Sequence, residues 1–215
     1  MAPTLKLYYF DMPGRAEPTK LMLNYAGIPF ENFTFPRDQW PELKQKMPYG
    51  QVPVLEVDGK MLAQSAAIER YAAKLAGLTP EDSWSAAKVD EYLELVKETW
   101  DIFMPSFSIK DADEKVKARQ AIVEGPLKVK LLKLTEILST SGGSYLTGDK
   151  ITQADFSLFT NVSLLVCGFI DGIPKDLLDS YPEMKAYHNR IASLPVIAKM
   201  YENPTSDYAL AFRPL

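Results

Sequence analysis

The 215-residue chain has one cysteine, Cys167, and one histidine, His188. A lone thiol excludes an intramolecular disulfide and any two-thiol redox motif, and a lone imidazole excludes a multi-histidine metal cage. Catalysis, if any, falls to other side chains. Basic residues are not in excess either: 24 Lys and Arg against 28 Asp and Glu give a formal net charge of −4, so no basic stripe is available for a nucleic-acid backbone. Long hydrophobic runs are missing as well. The longest largely apolar stretch, Val162 to Ile170, is about half of the ~20 residues that a membrane-crossing helix requires. Lys6 and Asp11 interrupt the amino-terminal stretch before a signal-peptide core can build up, and no small-residue cleavage pattern follows, so the expectation is a cytoplasmic protein.

What is present is a composition able to build a core: 47% hydrophobic and 24% charged residues, close to globular averages and far from those of disordered chains. Leu5 to Phe10 alternates with period two and reads as a strand. Gly14 breaks it, and Arg15 to Ala26 reads as a helix with Pro18 in its tolerant first turn and Gly27 closing it. Phe30 to Phe35 predicts a second strand, Trp40 to Met47 a short helical or irregular piece, and Val54–Val57 with Lys60–Ala63 a hairpin across Asp58-Gly59. Ser65 to Leu75 carries apolar residues at helical spacing, with Gly77 as its C′ residue. This βαβαββα order makes residues 1–77 an α/β domain. Residues 78–83, around Pro80, read as a linker, and 84–215 as an all-α domain. Its predicted helices are Ala86–Met104, Asp113–Ser139, Gln153–Gly168, Leu177–Ala192 and Val196–Tyr201.

Four local features stand out. Thr152 and Asp155 have the spacing of an N-terminal capping box, with Ile151 where a hydrophobic staple sits, and the apolar helix that follows predicts the centre of the helical domain. Cys167 belongs to that helix and reads as a buried structural thiol, because no cationic neighbour in sequence would lower its pKa. Val52-Pro53 stands before a buried strand and is a candidate cis peptide bond. Gln64 and Ser65 open a helix whose free amides can receive a carboxylate, although Ser65 can equally serve as a simple N-cap.

Tyr9-Phe10 followed by Gly14-Arg15-Ala16-Glu17, then Trp40-Pro41-Glu42-Leu43-Lys44, Gln51-Val52-Pro53-Val54-Leu55, Gln64-Ser65 and the Thr152–Asp155 cap together resemble the cytosolic glutathione transferases, with the sigma class closest. The resemblance implies a thioredoxin-like, glutathione-binding amino-terminal domain, a helical domain that supplies the electrophile pocket, and a homodimer. It implies that Tyr9 is the catalytic hydroxyl, with Tyr8 on the opposite side of the strand, and that Arg15 adds a cation beside the sulfur. Trp40, Lys44 and Gln51 would grip the glycine end of glutathione, Val52 before Pro53 its cysteinyl part, and Gln64 with Ser65 its γ-glutamyl carboxylate. Glu98, with Asp101 as the alternative, would reach the partner subunit's glutathione, either being equally readable as a solvated helical charge, and Tyr49 would anchor the dimer or else pack as a loop aromatic within its own domain. The expected electrophile pocket is an apolar cleft between the domains, with Phe10, Met12 and Pro13 on one side and Trp100, Met104 and Phe107 on the other. The tail, with Tyr208, Leu210 and Phe212, would fold over that cleft or pack elsewhere. The activity implied is conjugation of the glutathione thiolate to apolar electrophiles in detoxification, with glutathione as co-substrate and no metal. The rival readings are a prostaglandin D-type isomerase dependent on glutathione and a non-catalytic carrier or crystallin-like structural protein.

Overall fold

The computed structural model describes residues 2–204 and 206–215. The chain forms two compact units, Met1–Thr79 and Pro80–Leu215. The first contains β1 (Leu5–Phe10), α1 (Glu17–Tyr25), β2 (Glu31–Phe35), α2 (Trp40–Lys44), β3 (Val54–Val57), β4 (Lys60–Ala63) and α3 (Ser65–Leu75). Its sheet has the order β2-β1-β3-β4, with β1 and β2 parallel and the other two pairings antiparallel. This is a thioredoxin-like mixed sheet with helices.

Local sequence explains most of these elements. The tight β3–β4 turn needs two left-handed residues, and Asp58 and Gly59 supply them with φ of 49° and 79°. Beyond α1, Gly27 at φ 66° lets the Ile28 amide bond back to the Leu23 carbonyl at 2.9 Å, which closes the helix end. Alternation then sorts the side chains: Leu7 and Leu55 are register partners across β1 and β3, both fully buried, as are Leu21 and Leu23 of α1 and Ile68 of α3. Each such side chain contributes about 1.5–3 kcal/mol on burial.

The second unit is all helical: α4 (Ser83–Asp101), α5 (Ala112–Ile122), α6 (Lys128–Thr140), α7 (Gln153–Val166), α8 (Pro182–Ala192) and α9 (Pro195–Met200), with short 3-10 turns at Met104–Ser108, Leu177–Ser180 and Asp207–Phe212. Three expectations need correction. The first long helix starts and ends three residues earlier than its apolar spacing suggests, because the Asp82 carboxylate caps it by accepting from the Ser85 amide at 2.8 Å. The stretch expected as one helix over Asp113–Ser139 is two helices separated by a π-helical turn at Val123–Leu127. Pro126 inside that turn has no N–H to donate and its ring crowds the preceding turn, which the wider spacing relieves. The helix expected over Leu177–Ala192 is a 3-10 turn followed by α8, restarted by Pro182 in its first turn.

The inner helix α7 is buried along nearly its whole length. Its Asp155 carboxylate accepts from the Thr152 amide (2.8 Å) and hydroxyl (2.9 Å), the Leu146 amide (2.9 Å) and the Tyr187 hydroxyl (2.8 Å). Burial nevertheless holds its pKa above the ordinary aspartate value, with those bonds opposing. Cys167 lies just past the helix end, buried, and its pKa is raised by that burial. The tail packs within this unit: Phe212 is fully buried, stacked on Tyr201 at 4.8 Å and edge-on to Phe159 at 5.6 Å. Among the described residues no helix is long and apolar enough to cross a membrane.

Candidate active site

One end of the small sheet gathers residues that are far apart in the chain. Tyr8, Val54 and Ala63 are register neighbours across β1, β3 and β4. The segment leaving β1 (Tyr9-Phe10), the one entering β3 (Val52-Pro53) and the one leaving β4 (Gln64-Ser65) therefore meet at the same edge. β2 ends there too, since Phe10 pairs with Phe35, and the chain then leads through Arg37 to Trp40. The topology, not sequence proximity, assembles this set.

At its centre is the Tyr9 hydroxyl, which accepts the Arg15 backbone N–H at 3.1 Å. With a lone pair so engaged, the phenol's own proton remains available to donate. Burial pushes the Tyr9 pKa above the ordinary tyrosine value, against the opposing pull of the Arg15 amide and guanidinium. The group therefore stays a neutral O–H at physiological pH. Tyr8 points to the other face, where its hydroxyl donates to Glu56 at 2.7 Å and its ring lies against Phe33. Of the two adjacent phenols, only Tyr9 is bonded to the turn that begins at Gly14.

Around Tyr9 the side chains form a connected wall. Phe10 stands edge-on to Tyr9 at 5.7 Å and edge-on to Trp40 at 5.5 Å, and Trp40 stacks on Phe35 at 5.9 Å. Lys44 ends α2 and its carbon stem runs over Gly50, where an added Cβ would meet Lys44 Cε at 3.3 Å. The ammonium-bearing chain thus lies beside the residue preceding Gln51. The Val52–Pro53 bond is cis, with Pro53 buried and Val52 half-buried. Gln64 occupies the N-cap position of α3 in a rarely populated conformation (φ 73°, ψ 116°), and Ser65 is the first helical residue instead of the cap. The amides of Ala67 and Ile68 donate to the Gln64 carbonyl at 3.0 Å, which leaves those of Ser65 and Ala66 as the helix-start donors suited to a carboxylate.

Arg37 was not singled out by sequence pattern, yet its guanidinium is 6.0 Å from the Phe10 ring centre and lowers the Tyr9 pKa by its charge. The available signal was its place two residues after a strand that pairs parallel to β1. Met12 and Pro13 follow in the turn after β1, Pro13 buried and Met12 half-buried.

In the helical unit, Trp100 is half-buried on α4, while Met104 and Phe107 in the turn that follows remain 42% and 43% exposed. Glu98 forms an ion pair with Lys130 of α6, and Asp101 one with Lys97 at 2.8 Å. Tyr49, in a left-handed conformation at φ 58°, is 79% exposed. Among the described residues no group of three or more His, Cys, Asp or Glu side chains is placed to hold a metal ion.

A thioredoxin-like sheet presenting a phenol at its edge, followed by an all-helical unit with a capped inner helix, defines the class of fold. Residues 5–74 match the family model of the glutathione S-transferase N-terminal domain, and residues 98–204 that of the C-terminal domain. Glutathione S-transferase 1 of Ascaris suum is 34% identical over 96% of this chain and 100% of its own. The hematopoietic prostaglandin D synthase of Gallus gallus is 33% identical over 91% of this chain and 94% of its own. The solved structure of prostaglandin synthase D from Nilaparvata lugens superposes with a TM-score of 0.86 at 31% identity, covering 95% of this chain and all of that one. The chain belongs to the glutathione S-transferase family, and it is a glutathione transferase with glutathione as co-substrate.

Proposed function

We propose that this transferase is of the sigma class and conjugates glutathione to apolar electrophilic small molecules in detoxification, acting in the cytoplasm as a homodimer. The observation that carries the chemistry is the Tyr9 hydroxyl, held by the Arg15 amide and kept protonated by burial. A free thiol near pKa 8.5 is only a few per cent ionised at neutral pH, and the thiolate is the nucleophile. Lowering that pKa by about two units takes roughly 2.7 kcal/mol. A hydrogen bond from the phenol to a charged sulfur supplies about 1.5–3 kcal/mol of it, and the Arg15 cation adds to the same effect.

In this reading Tyr9 O–H donates to the glutathione thiolate, and the sulfur lone pair attacks the electrophile and forms a C–S bond. The displaced electrons leave with a departing anion or are quenched by a proton from water. Lys44 pairs with the glycyl carboxylate and Trp40 and Gln51 donate beside it. Val52, ahead of Pro53, pairs main chain to main chain with the cysteinyl part. Gln64 and Ser65 at the start of α3 receive the γ-glutamyl carboxylate. For the apolar second substrate the proposed contact residues are Phe10, Met12 and Pro13 in the first unit and Trp100, Met104 and Phe107 in the second. Glu98 or Asp101 would reach the partner subunit's glutathione after exchanging its lysine partner, and Tyr49 would anchor the dimer.

The test is turnover of a nitroaryl chloride with glutathione, together with ultraviolet titration of the bound thiol. A thiol that ionises in the complex no more readily than in solution would sink the mechanism. The likeness to prostaglandin D synthases favours a second reading: the same thiolate attacks one endoperoxide oxygen, an S–O bond forms as the O–O bond breaks and the freed alkoxide takes a proton, and loss of the adjacent ring C–H proton then expels the thiolate and leaves a ketone. Assay with prostaglandin H2 separates the two.

A further inference from the structure

The helical unit buries one arginine almost completely, and the transfer chemistry does not use it. Arg119, on α5, is 4% exposed. Its Nε–H donates to the Ser106 hydroxyl at 3.0 Å, and that hydroxyl in turn donates to the Phe103 carbonyl at 2.7 Å. Its Nη1 reaches the Asp171 carbonyl at 3.5 Å and the Asp171 carboxylate at 3.6 Å. The guanidinium lies over the Phe107 ring at 4.8 Å from the ring centre. Gly172, at φ 87°, allows the Asp171 loop to press on α5: an added Cβ would lie 2.9 Å from the Val116 carbonyl and 3.2 Å from Arg119 Cβ.

A buried cation needs a close counter-charge or a complete set of acceptors, and Asp171 offers neither a short contact nor a buried carboxylate, being 76% exposed. The aromatic face of Phe107 makes up part of the difference, since a cation over a ring is favoured most where water is excluded. Phe107 is meanwhile held by the cation on one side and still 43% exposed. The turn Met104–Ser108 therefore takes its position from a side chain on a different helix.

We infer that Arg119 is a positioning residue for the second substrate: by tying the Met104–Ser108 turn to α5 and the Asp171 loop, and by stacking on Phe107, it sets the apolar surface that Met104 and Phe107 present to the electrophile. This rests on the reading of those two residues as part of the electrophile pocket. Lysine cannot replace it, because an ammonium is a point charge without the planar fork that reaches Ser106 and Asp171 while lying flat on a ring.

The experiment compares Arg119→Lys, the milder Ser106→Ala, Phe107→Leu and the double variant Arg119→Lys/Phe107→Leu, with a nitroaryl chloride as the probe. The expected result is a rise of about three- to tenfold in KM for the chloride in Arg119→Lys and a smaller rise in Ser106→Ala, as for a slightly misplaced contact surface. Glutathione affinity and the bound thiol pKa stay unchanged, and Arg119→Lys adds less than twofold to Phe107→Leu. Unchanged KM in Arg119→Lys alongside a raised KM in Phe107→Leu would overturn the inference and leave the pocket reading standing. Unchanged KM in Phe107→Leu would remove the pocket reading itself, and the inference with it. Full additivity in the double variant, or a parallel loss of glutathione affinity, would make Arg119 a general structural residue. Should Arg119→Lys fail to fold, Ser106→Ala decides alone, and an unchanged KM there counts against the inference.

Discussion

Gly14 lies directly against Tyr9: a methyl group built on its Cα would come within 2.6 Å of the phenol oxygen and 3.1 Å of the ring. Glycine is required here for space, not for an unusual φ, and the missing side chain is what lets the turn bring the Arg15 amide to the hydroxyl. Gly14→Ala should push the ring aside and break that bond. We expect turnover to fall about tenfold or more while glutathione affinity changes little, as read by steady-state kinetics and calorimetric titration. An alanine variant with full activity would show that the turn yields instead.

Tyr9→Phe removes the hydroxyl and leaves the ring. The bound thiol pKa should rise by about one to two units and turnover at neutral pH should drop roughly 10- to 100-fold, in line with a charge-assisted hydrogen bond of ~1.5–3 kcal/mol. The deficit should shrink as pH rises and the thiol ionises unaided. Tyr8→Phe, on the opposite face and bonded to Glu56, should leave the thiol pKa where it is.

Asp155→Ala should cost about 3 kcal/mol or more of stability, because two amides and two hydroxyls lose their shared acceptor inside the helical unit. Urea titration of the two proteins measures it. A loss below about 1 kcal/mol would mean that water replaces the carboxylate.

His188 gives stability a pH dependence of known sign. It is fully buried, and desolvation pushes its pKa down from 6.5 to about 4. Its Nε2 is 3.0 Å from the Ala211 carbonyl, which can only accept, so the neutral ring carries its proton there. With the folded value depressed, the unfolded chain takes up the proton first as pH falls. Stability should therefore decline between about pH 6.5 and 4, by roughly 3 kcal/mol in total. Asp155 has the opposite sign, its folded pKa being raised, so it does not account for such a decline. Denaturant midpoints across this range in the native protein and in His188→Gln test the assignment; equal slopes would remove it.

Tyr49→Ala should shift the proposed dimer toward monomer, since an aromatic ring 79% exposed within its own unit has most of its surface left to bury against a second copy. Light scattering over a concentration series reads the outcome. Native protein that is monomeric throughout would exclude both this role for Tyr49 and any exchange of Glu98 between subunits.

Much of the first unit is legible in the residues. The limits of β1, the β3–β4 hairpin and α3 follow from period-two alternation, Asp58-Gly59, and apolar spacing closed by Gly77. Such signals are local, so a short window of sequence contains them. The break at Val123–Leu127 was equally local, marked by Gly125-Pro126, but a strong apolar period on both sides conceals it. Nothing local announces the pairing of Glu98 with Lys130, 32 residues apart, or of Arg119 with Asp171, 52 apart. Neither Arg37 nor Arg119 stands in a sequence pattern that would mark it; the Phe10 ring beside one and the burial of the other come from the fold.

The residues alone specify the secondary structure of the sheet-bearing unit, the capped inner helix and the presence of a tyrosine–glycine–arginine turn, because alternation, helical period, caps and steric freedom at glycine act over a few residues. They also restrict the chemistry, since one thiol and one imidazole leave hydroxyl, amide and cationic groups to do it. Strand register and packing settle the rest. Register brings Tyr9, Val52, Gln64 and Trp40 to one edge across up to 55 positions of chain, from Tyr9 to Gln64, and the face of the strand decides which phenol meets the Arg15 amide and which meets Glu56. Those outcomes depend on desolvation and on long-range pairing, which are properties of the folded whole and have no counterpart in a window of sequence.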